Sequence, residues 1–388
     1  MGTFANLPET KAHRHMSLSL YPLLCALFLA PADTRPWHAF TDTLTGNVGF
    51  KDASGKVRVP AKYSMPTSAK VFRNVIAVAL EDTATGKRNM HYLRRDGSTF
   101  GHDSVPILPD IYLPCEEEGR ILFKDGKSDR PGFYDSTDRL GYFDSAGKVA
   151  IPARFVDADR FRGGYAVVLE MGTLLCEDGK KWHSKKPCEH PRWDGQWALI
   201  DRDGKVVARP FETALIGTVD WLAARVVGAE PDTNRVRIPL LDGRILSILD
   251  IERDFRAWFS KALPTWKGPG IGKALFHRKV YPTPNSRWKF PQRPTEEGSN
   301  WSARTPSQFL SENGKELAAL LDTFQRNTSS LTYSANETPV FDMLDDCGQA
   351  DRFHFPTVLV TWDPGDNVSR REILFVRTSE GYRIIEVH

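Results

Sequence analysis

Two pairs of apolar positions frame a short turn near the middle of the chain. Tyr142 and Phe143 are strand formers, and Val149 and Ile151 are two apart on the returning strand, so that both point to one face. Between them lies Ser145-Ala146-Gly147, where Gly147 is free to take the positive φ that a short hairpin loop requires. Pro152 is expected to end the returning strand because it has no N–H to donate. After a loop, Phe161 to Leu169 is again apolar and predicts a third strand. One such unit is a three-stranded meander.

The pattern recurs. Gly49 to Pro60 repeats the hairpin with Asp52, Gly55, Lys56, Val57 and Pro60 in register, and Phe72 to Leu80 repeats the third strand. Trp197 to Val206 is a further copy, with its proline, Pro210, one residue later. A degenerate copy joins Tyr92 to Gly97 with Gly119 to Phe123. Gly55, Gly97, Gly147 and Gly204 mark the four turns, roughly 40 to 57 residues apart, a range typical of repeat architectures. Units are therefore expected near 47–81, 90–125, 139–171 and 195–228, with a partial unit at 235–249 around Asp242-Gly243.

The Asp-x-x-Gly-Lys-Val core of these hairpins resembles the WG-repeat family, named for a Trp-Gly pair that precedes it. The likeness covers about residues 47–228. It departs in one respect: Trp197 is followed by Ala198, while Gly49 and Gly141 follow Val48 and Leu140. The resemblance implies a β-repeat array of the kind common in bacterial proteins, without shared catalytic residues, serving as an interaction or structural module.

Beyond the array the periodicity changes. Ile251, Phe255, Trp258, Phe259 and Leu263 fall on one helical face, begun at Asp250 and stopped by Pro264. Thr305-Pro306-Ser307-Gln308 is a capping box that opens a second helix. Strands are expected at Thr357–Trp362, Glu372–Arg377 and Tyr382–Val387. The fold class predicted is mainly β: an array of three-stranded antiparallel meander repeats over 33–250, then a small α+β carboxy-terminal domain at 305–388. Residues 251–304 join them as a helix and a basic, aromatic-rich connector.

Composition refines this picture at three places. Residues 1–32 run from polar and basic, through the apolar stretch from Leu18 to Ala30, to Ala30-Pro31-Ala32, which reads as a signal peptide. The expectation is a periplasmic or secreted protein with no transmembrane segment after cleavage. Outside that stretch are four cysteines, an even number that suits disulfides in an exported chain. Cys176 is expected to pair with Cys188, and Cys115 with Cys347; a zinc site from Cys176, His183, Cys188 and His190 is the competing reading.

The third place is the connector. Residues 261–304 hold nine Lys or Arg against two acids, although the whole chain has a net charge of only +3. Trp266, Lys267, Lys273, Arg278, Lys279, Arg287, Trp288, Lys289 and Arg293 form a candidate binding surface, the cations for an anionic partner and the rings for flat faces. In an exported protein the partner would be another envelope protein or an anionic envelope polymer, not nucleic acid. No cofactor or metal is expected. Asp342, Asp345, Asp346, Asp351 and His354 form the densest titratable cluster, and an envelope hydrolase acting there is the rival reading, beside a plain structural spacer. There is no Gly-x-Ser-x-Gly or His-Glu-x-x-His motif.

Overall fold

The computed structural model describes residues 35–108, 112–125, 138–182, 188, 191–227, 233–266, 271–282, 303–337, 343–349, 351–365 and 370–388. The signal-peptide stretch, Lys267, Arg287, Trp288, Lys289, Arg293, His183, His190 and Asp342 lie outside them.

The strands fall into consecutive meanders. β1 (Trp37–Thr41), β2 (Val48–Lys51) and β3 (Val57–Tyr63) form the first, with β4 (Val71–Phe72) added beside β1. β5 (Val75–Glu81), β6 (Arg88–Arg94) and β7 (Thr99–Phe100) form the second. β8 (Arg120–Asp125), β9 (Arg139–Asp144) and β10 (Val149–Phe155) form the third. In the fourth, β12 (Tyr165–Leu175), β13 (Arg192–Asp201) and β14 (Val206–Ala208) are joined by the short β11 (Asp157–Ala158). β15 (Val219–Val227), β16 (Arg235–Pro239) and β17 (Ile245–Asp250) close the series in the changed order β15-β17-β16.

The phase of the repeat differs from the one read along the chain. The strand after each hairpin pairs with the following hairpin, not with its own: β5 pairs with β6 along seven residues, and β12 pairs with β13. Each sequence repeat therefore bridges two sheets.

Neighbouring sheets share their cores face to face. On β9, Tyr142 packs with Phe155, Phe161 and Val168 of one core, while Phe143 packs with Val75, Tyr92 and Phe123 of the other. On β12, Val167 and Val168 likewise enter different cores. Strands buried on both faces read as unbroken apolar runs, which is why Val75–Ala79 and Val167–Leu169 lack alternation. The outer strands are plainer: Val57 and Val149, equivalent positions, are exposed.

α1 (Ile251–Ala262) follows β17 directly. Asp250 caps it, its carboxylate accepting the Arg253 N–H at 2.9 Å, and Ile251, Phe255 and Phe259 are buried. α2 (Pro306–Arg326) has the expected capping box between Thr305 and Gln308. Both helices pack on one face of a five-stranded sheet ordered β18-β22-β21-β20-β19, made of β18 (Phe276–Pro282), β19 (Leu331–Ala335), β20 (Thr357–Trp362), β21 (Arg371–Thr378) and β22 (Gly381–Val387). Two of these strands escape the sequence pattern. β19 is a short strand just after α2, and β18 comes from the connector and pairs parallel with β22. Among the described residues, no helix is long and apolar enough to cross a membrane.

Candidate functional site

One backbone device recurs through the array. In the turns at Asp52, Asp144 and Asp201, the carboxylate Oδ1 accepts the N–H groups two and four residues on, at 2.9–3.1 Å. The glycine three residues on donates its N–H to the aspartate carbonyl at 2.9 Å, with φ of 84°, 80° and 79°. The aspartate thus mimics a turn of backbone, and glycine accepts the left-handed conformation without a Cβ penalty. At Arg94, Cys176 and Leu240 the same backbone bonds form without that aspartate. There Asp96, Asp178 and Asp242, each just before the glycine, take the N–H two residues on at 2.9–3.0 Å.

The same turn appears once more, outside the array. Asp345 N–H donates to the Gln349 carbonyl at 2.7 Å, and Gly348 N–H to the Asp345 carbonyl at 3.0 Å. The Asp345 Oδ1 accepts the N–H groups of Cys347 and Gln349, both at 2.9 Å. The supposed acidic cluster is thus largely a turn of the repeat type, carried by an arm between β19 and β20.

This arm touches several sheets of the array. The Asp346 carbonyl accepts the N–H groups of Lys70 and Val71 at 2.8 and 3.0 Å, and its carboxylate pairs with Arg73. Cys347 is bonded to Cys115, with Cα atoms 5.7 Å apart. Asp345 Oδ2 accepts from Arg160 at 2.6 Å, and Arg160 also donates to Gln349 at 3.1 Å. The Arg162 guanidinium lies 3.5 Å from the Phe353 ring centroid. Arg160 is largely buried, and desolvation works against its charge, but the Asp345, Glu117 and Asp159 carboxylates together outweigh that and raise its guanidinium above the ordinary value. Burial pushes the Glu117 carboxyl up beside it.

A cavity of about 650 Å³ lies at this junction, walled by Arg73, Glu116, Glu117, Glu118, Asp346, Asp351 and His354. Its acids are already engaged. Asp351 accepts His354 Nδ1 at 2.9 Å and the His354 N–H at 3.0 Å. Glu118 holds the N–H groups of Gly163 and Gly164 at 2.6 and 2.9 Å. Among the described residues, no three metal-ligating side chains come together. These bonds and the Cys115–Cys347 disulfide tie the arm to the array.

The basic candidates fare differently from one another. Trp266 is corrected from a surface ring to a core one: it is 8% exposed and packs against Trp258, Phe259 and Phe375. Its apolar neighbours on α1 and β21 outcompete solvent for so large a ring. Lys273 is exposed in the turn before β18. Arg278 and Lys279 stand exposed on β18 and line a second cavity, of about 550 Å³. His277, Thr378, Ser379, Glu380 and Arg383 complete its rim, over Tyr281, Met343, Phe355 and Ile385.

A family profile described as a WG containing repeat matches residues 141–170. The chain carries a WG repeat. The matched stretch runs from β9 into β12 and holds the Asp144–Lys148 turn at its start. No curated protein and no solved structure matches the chain.

The glycine of the WG repeat has a geometric reason here. A Cβ on Gly141 would lie 2.6 Å from the Ala153 nitrogen and the Ile151 oxygen of the returning strand. A Cβ on Gly49 would meet Ala61 and Val59 in the same way, at 2.6 and 2.7 Å. Both hairpins carry register shifts opposite these glycines, which bring the partner backbone close.

Cys176 and Cys188 form the second disulfide, Cα atoms 5.8 Å apart, beyond the β12 and β13 ends. The sulfurs are bonded to each other, which removes them from the zinc alternative. Sequence reasoning missed Arg160, Arg162 and Arg383 because each sits in a strand or turn read as structural. The Asp345-x-x-Gly348 spacing was a usable signal, since it repeats the array's own turn.

Proposed function

We propose that this is a non-catalytic binding protein of the bacterial envelope, with the WG array as scaffold and an anionic partner held at the Arg278–Lys279 face. The observation that carries this reading is the second cavity, where two basic residues of the connector meet an apolar floor. Ligand sites of this kind are concave and mostly apolar, with a few polar groups that fix orientation. Two disulfides and the leader-like residues 1–32 support an exported, periplasmic or secreted setting.

The hydrolase alternative draws on Asp345, Asp351 and His354. Asp345 is committed to its own turn and to Arg160, and Asp351 to His354. A general base must reach a substrate proton, and these groups already serve protein donors.

The test is binding of dextran sulfate against neutral dextran, measured in low salt. The native protein is expected to retain the sulfated polymer, and Arg278→Glu with Lys279→Glu to lose it. Retention unchanged by the charge reversal would move the contact elsewhere. A hydrolytic activity lost on His354→Ala would replace the reading with the enzymatic one.

A further inference from the structure

We infer that the seam between the first and second meanders is acid-sensitive: proton uptake by the buried His91 loosens it and bares the apolar core that Tyr63, Val78 and Leu93 share there.

The seam holds two stacked imidazoles. His91 stands opposite Val78 in the β5–β6 pairing, on the face of β6 that also carries Leu93. Val78 and Leu93 share one core with Phe50 and Tyr63 of the first meander. A position among such neighbours is ordinarily apolar, yet here it holds a titratable ring that is only 6% exposed. The His102 ring stacks on it, with centroids 4.9 Å apart and planes 23° apart. His102 is itself held in place, its ring nitrogens meeting Thr99 Oγ1 at 3.1 Å and Asn89 Oδ1 at 3.4 Å. Tyr63 meets His91 edge-on at 6.1 Å. The His91 Nδ1 is buried without a well-formed hydrogen bond among the described residues.

The surroundings of this ring oppose a proton. From β3 come the uncharged Tyr63 ring and Lys62, whose ammonium lies 5.3 Å from the centroid of that ring. From β5 come Val78 and, one pair further on, Leu80, which carry no charge. From the turn after β7 comes His102. Burial first, then His102 and Lys62, hold His91 below its ordinary value of 6.5, and the Asn89 backbone pulls more weakly the other way. When the seam opens, water and distance weaken the first three effects. The open form therefore takes up a proton more readily than the closed one. The seam is tight above the ordinary histidine value and weakens as pH falls through it toward the lowered one. Each sheet of a repeat array touches mainly its neighbours, so the loosening stays at this seam. The Lys70 and Val71 N–H groups still donate to the Asp346 carbonyl, so the first meander stays tethered to the arm.

The experiment is hydrogen exchange of the full chain, read by mass spectrometry at about pH 7.5 and about pH 5, on either side of the ordinary histidine value, and corrected for intrinsic rates. Amides of β2, β3 and β6 are expected to lose about tenfold in protection in acid, while those of β12 and β13 keep theirs. In His91→Phe, which keeps a ring but cannot take a proton, the loss should vanish. His102→Gln with Lys62→Met, both at exposed positions, removes the two opposing charges and should shrink the loss to about threefold or less. Unchanged protection of the native seam in acid overturns the inference. So does an acid response that survives His91→Phe, or an equal loss in β12 and β13. Circular dichroism checks folding. If His91→Phe does not fold, the double variant decides, and an undiminished loss there overturns the inference as well.

Discussion

The turn at Asp144–Lys148 and the turn at Asp345–Gln349 have one backbone and two surroundings. In both, an aspartate Oδ1 takes the N–H groups two and four residues on, and a glycine closes the loop at φ of 80° or 81°. The first lies in the array, half exposed at a hairpin end. The second is clamped by a buried arginine and a disulfide against sheets far away in the chain. Local hydrogen bonding explains why both form. It says nothing about what they are for, because that depends on what packs outside the turn.

The largest expected difference lies in the cross-links. Cys115–Cys347 joins residues 232 apart, whereas Cys176–Cys188 spans 12. In the chain-entropy model, replacing the first pair by serine should cost about 5 kcal/mol and the second about 3 kcal/mol. Urea unfolding without reductant measures both. Equal losses would mean that the arm is held by its other contacts.

Next comes the turn aspartate itself. Asp345→Ala removes two backbone bonds and leaves Arg160, whose side chain is 10% exposed, without its closest carboxylate. A buried charge stripped of its partner costs about 3–5 kcal/mol. Asp144→Ala removes the same two bonds at a half-exposed site and should cost about 1 kcal/mol. Similar values for the two would show that Arg160 adds nothing to the joint.

A third contrast tests the packing that the array demands. Gly141→Ala drives a Cβ against the backbone of Ile151 and Ala153, which cannot rotate away, and should cost about 3 kcal/mol. The fourth copy already carries Ala198, fully buried, at the equivalent position. There Ala198→Gly should cost about 1 kcal/mol instead, through added freedom of the unfolded chain and a lost methyl. Thermal unfolding of both variants gives the comparison.

Much of this architecture was legible in the residues. The Asp-x-x-Gly turns placed the hairpins, and the capping residues placed both helices. Pairing was not legible: Val75–Glu81 offers the same apolar run to either neighbour, and only face-to-face stacking decides that it joins β6. The site was half legible. Arg278 and Lys279 stood out as basic, but Trp266 read as surface because its partners on α1 and β21 are remote in sequence. The floor of the cavity was invisible, since Met343 and Ile385 meet only through the arm. The acidic cluster misled because chain proximity of Asp345, Asp351 and His354 suggested a shared proton, while Asp351 serves His354 and Asp345 serves its own turn and the remote Arg160.

The smallest expected effect separates the arm from the array by pH. His354 is held above its ordinary value of 6.5 by its bond to Asp351 and by that carboxylate's charge, against partial burial. Burial alone would raise Asp351, but the bonds from the His354 ring and N–H outweigh it and hold the carboxyl low. The folded chain therefore grips the His354 proton more tightly than the unfolded chain does. Its contribution is full below the ordinary histidine value and fades as pH rises through the raised one. On the acid side the Asp351 contribution is present above the ordinary carboxylate value and is lost as pH falls through the lowered one. The His354 side chain is 56% exposed, so solvent screening holds the pair to about 1 kcal/mol or less. Urea midpoints of the native chain and His354→Gln should thus differ most between those two limits and converge in alkali. A difference that persists unchanged into alkali would mean that His354 acts by packing against the arm, and that its charge plays no part in holding the joint.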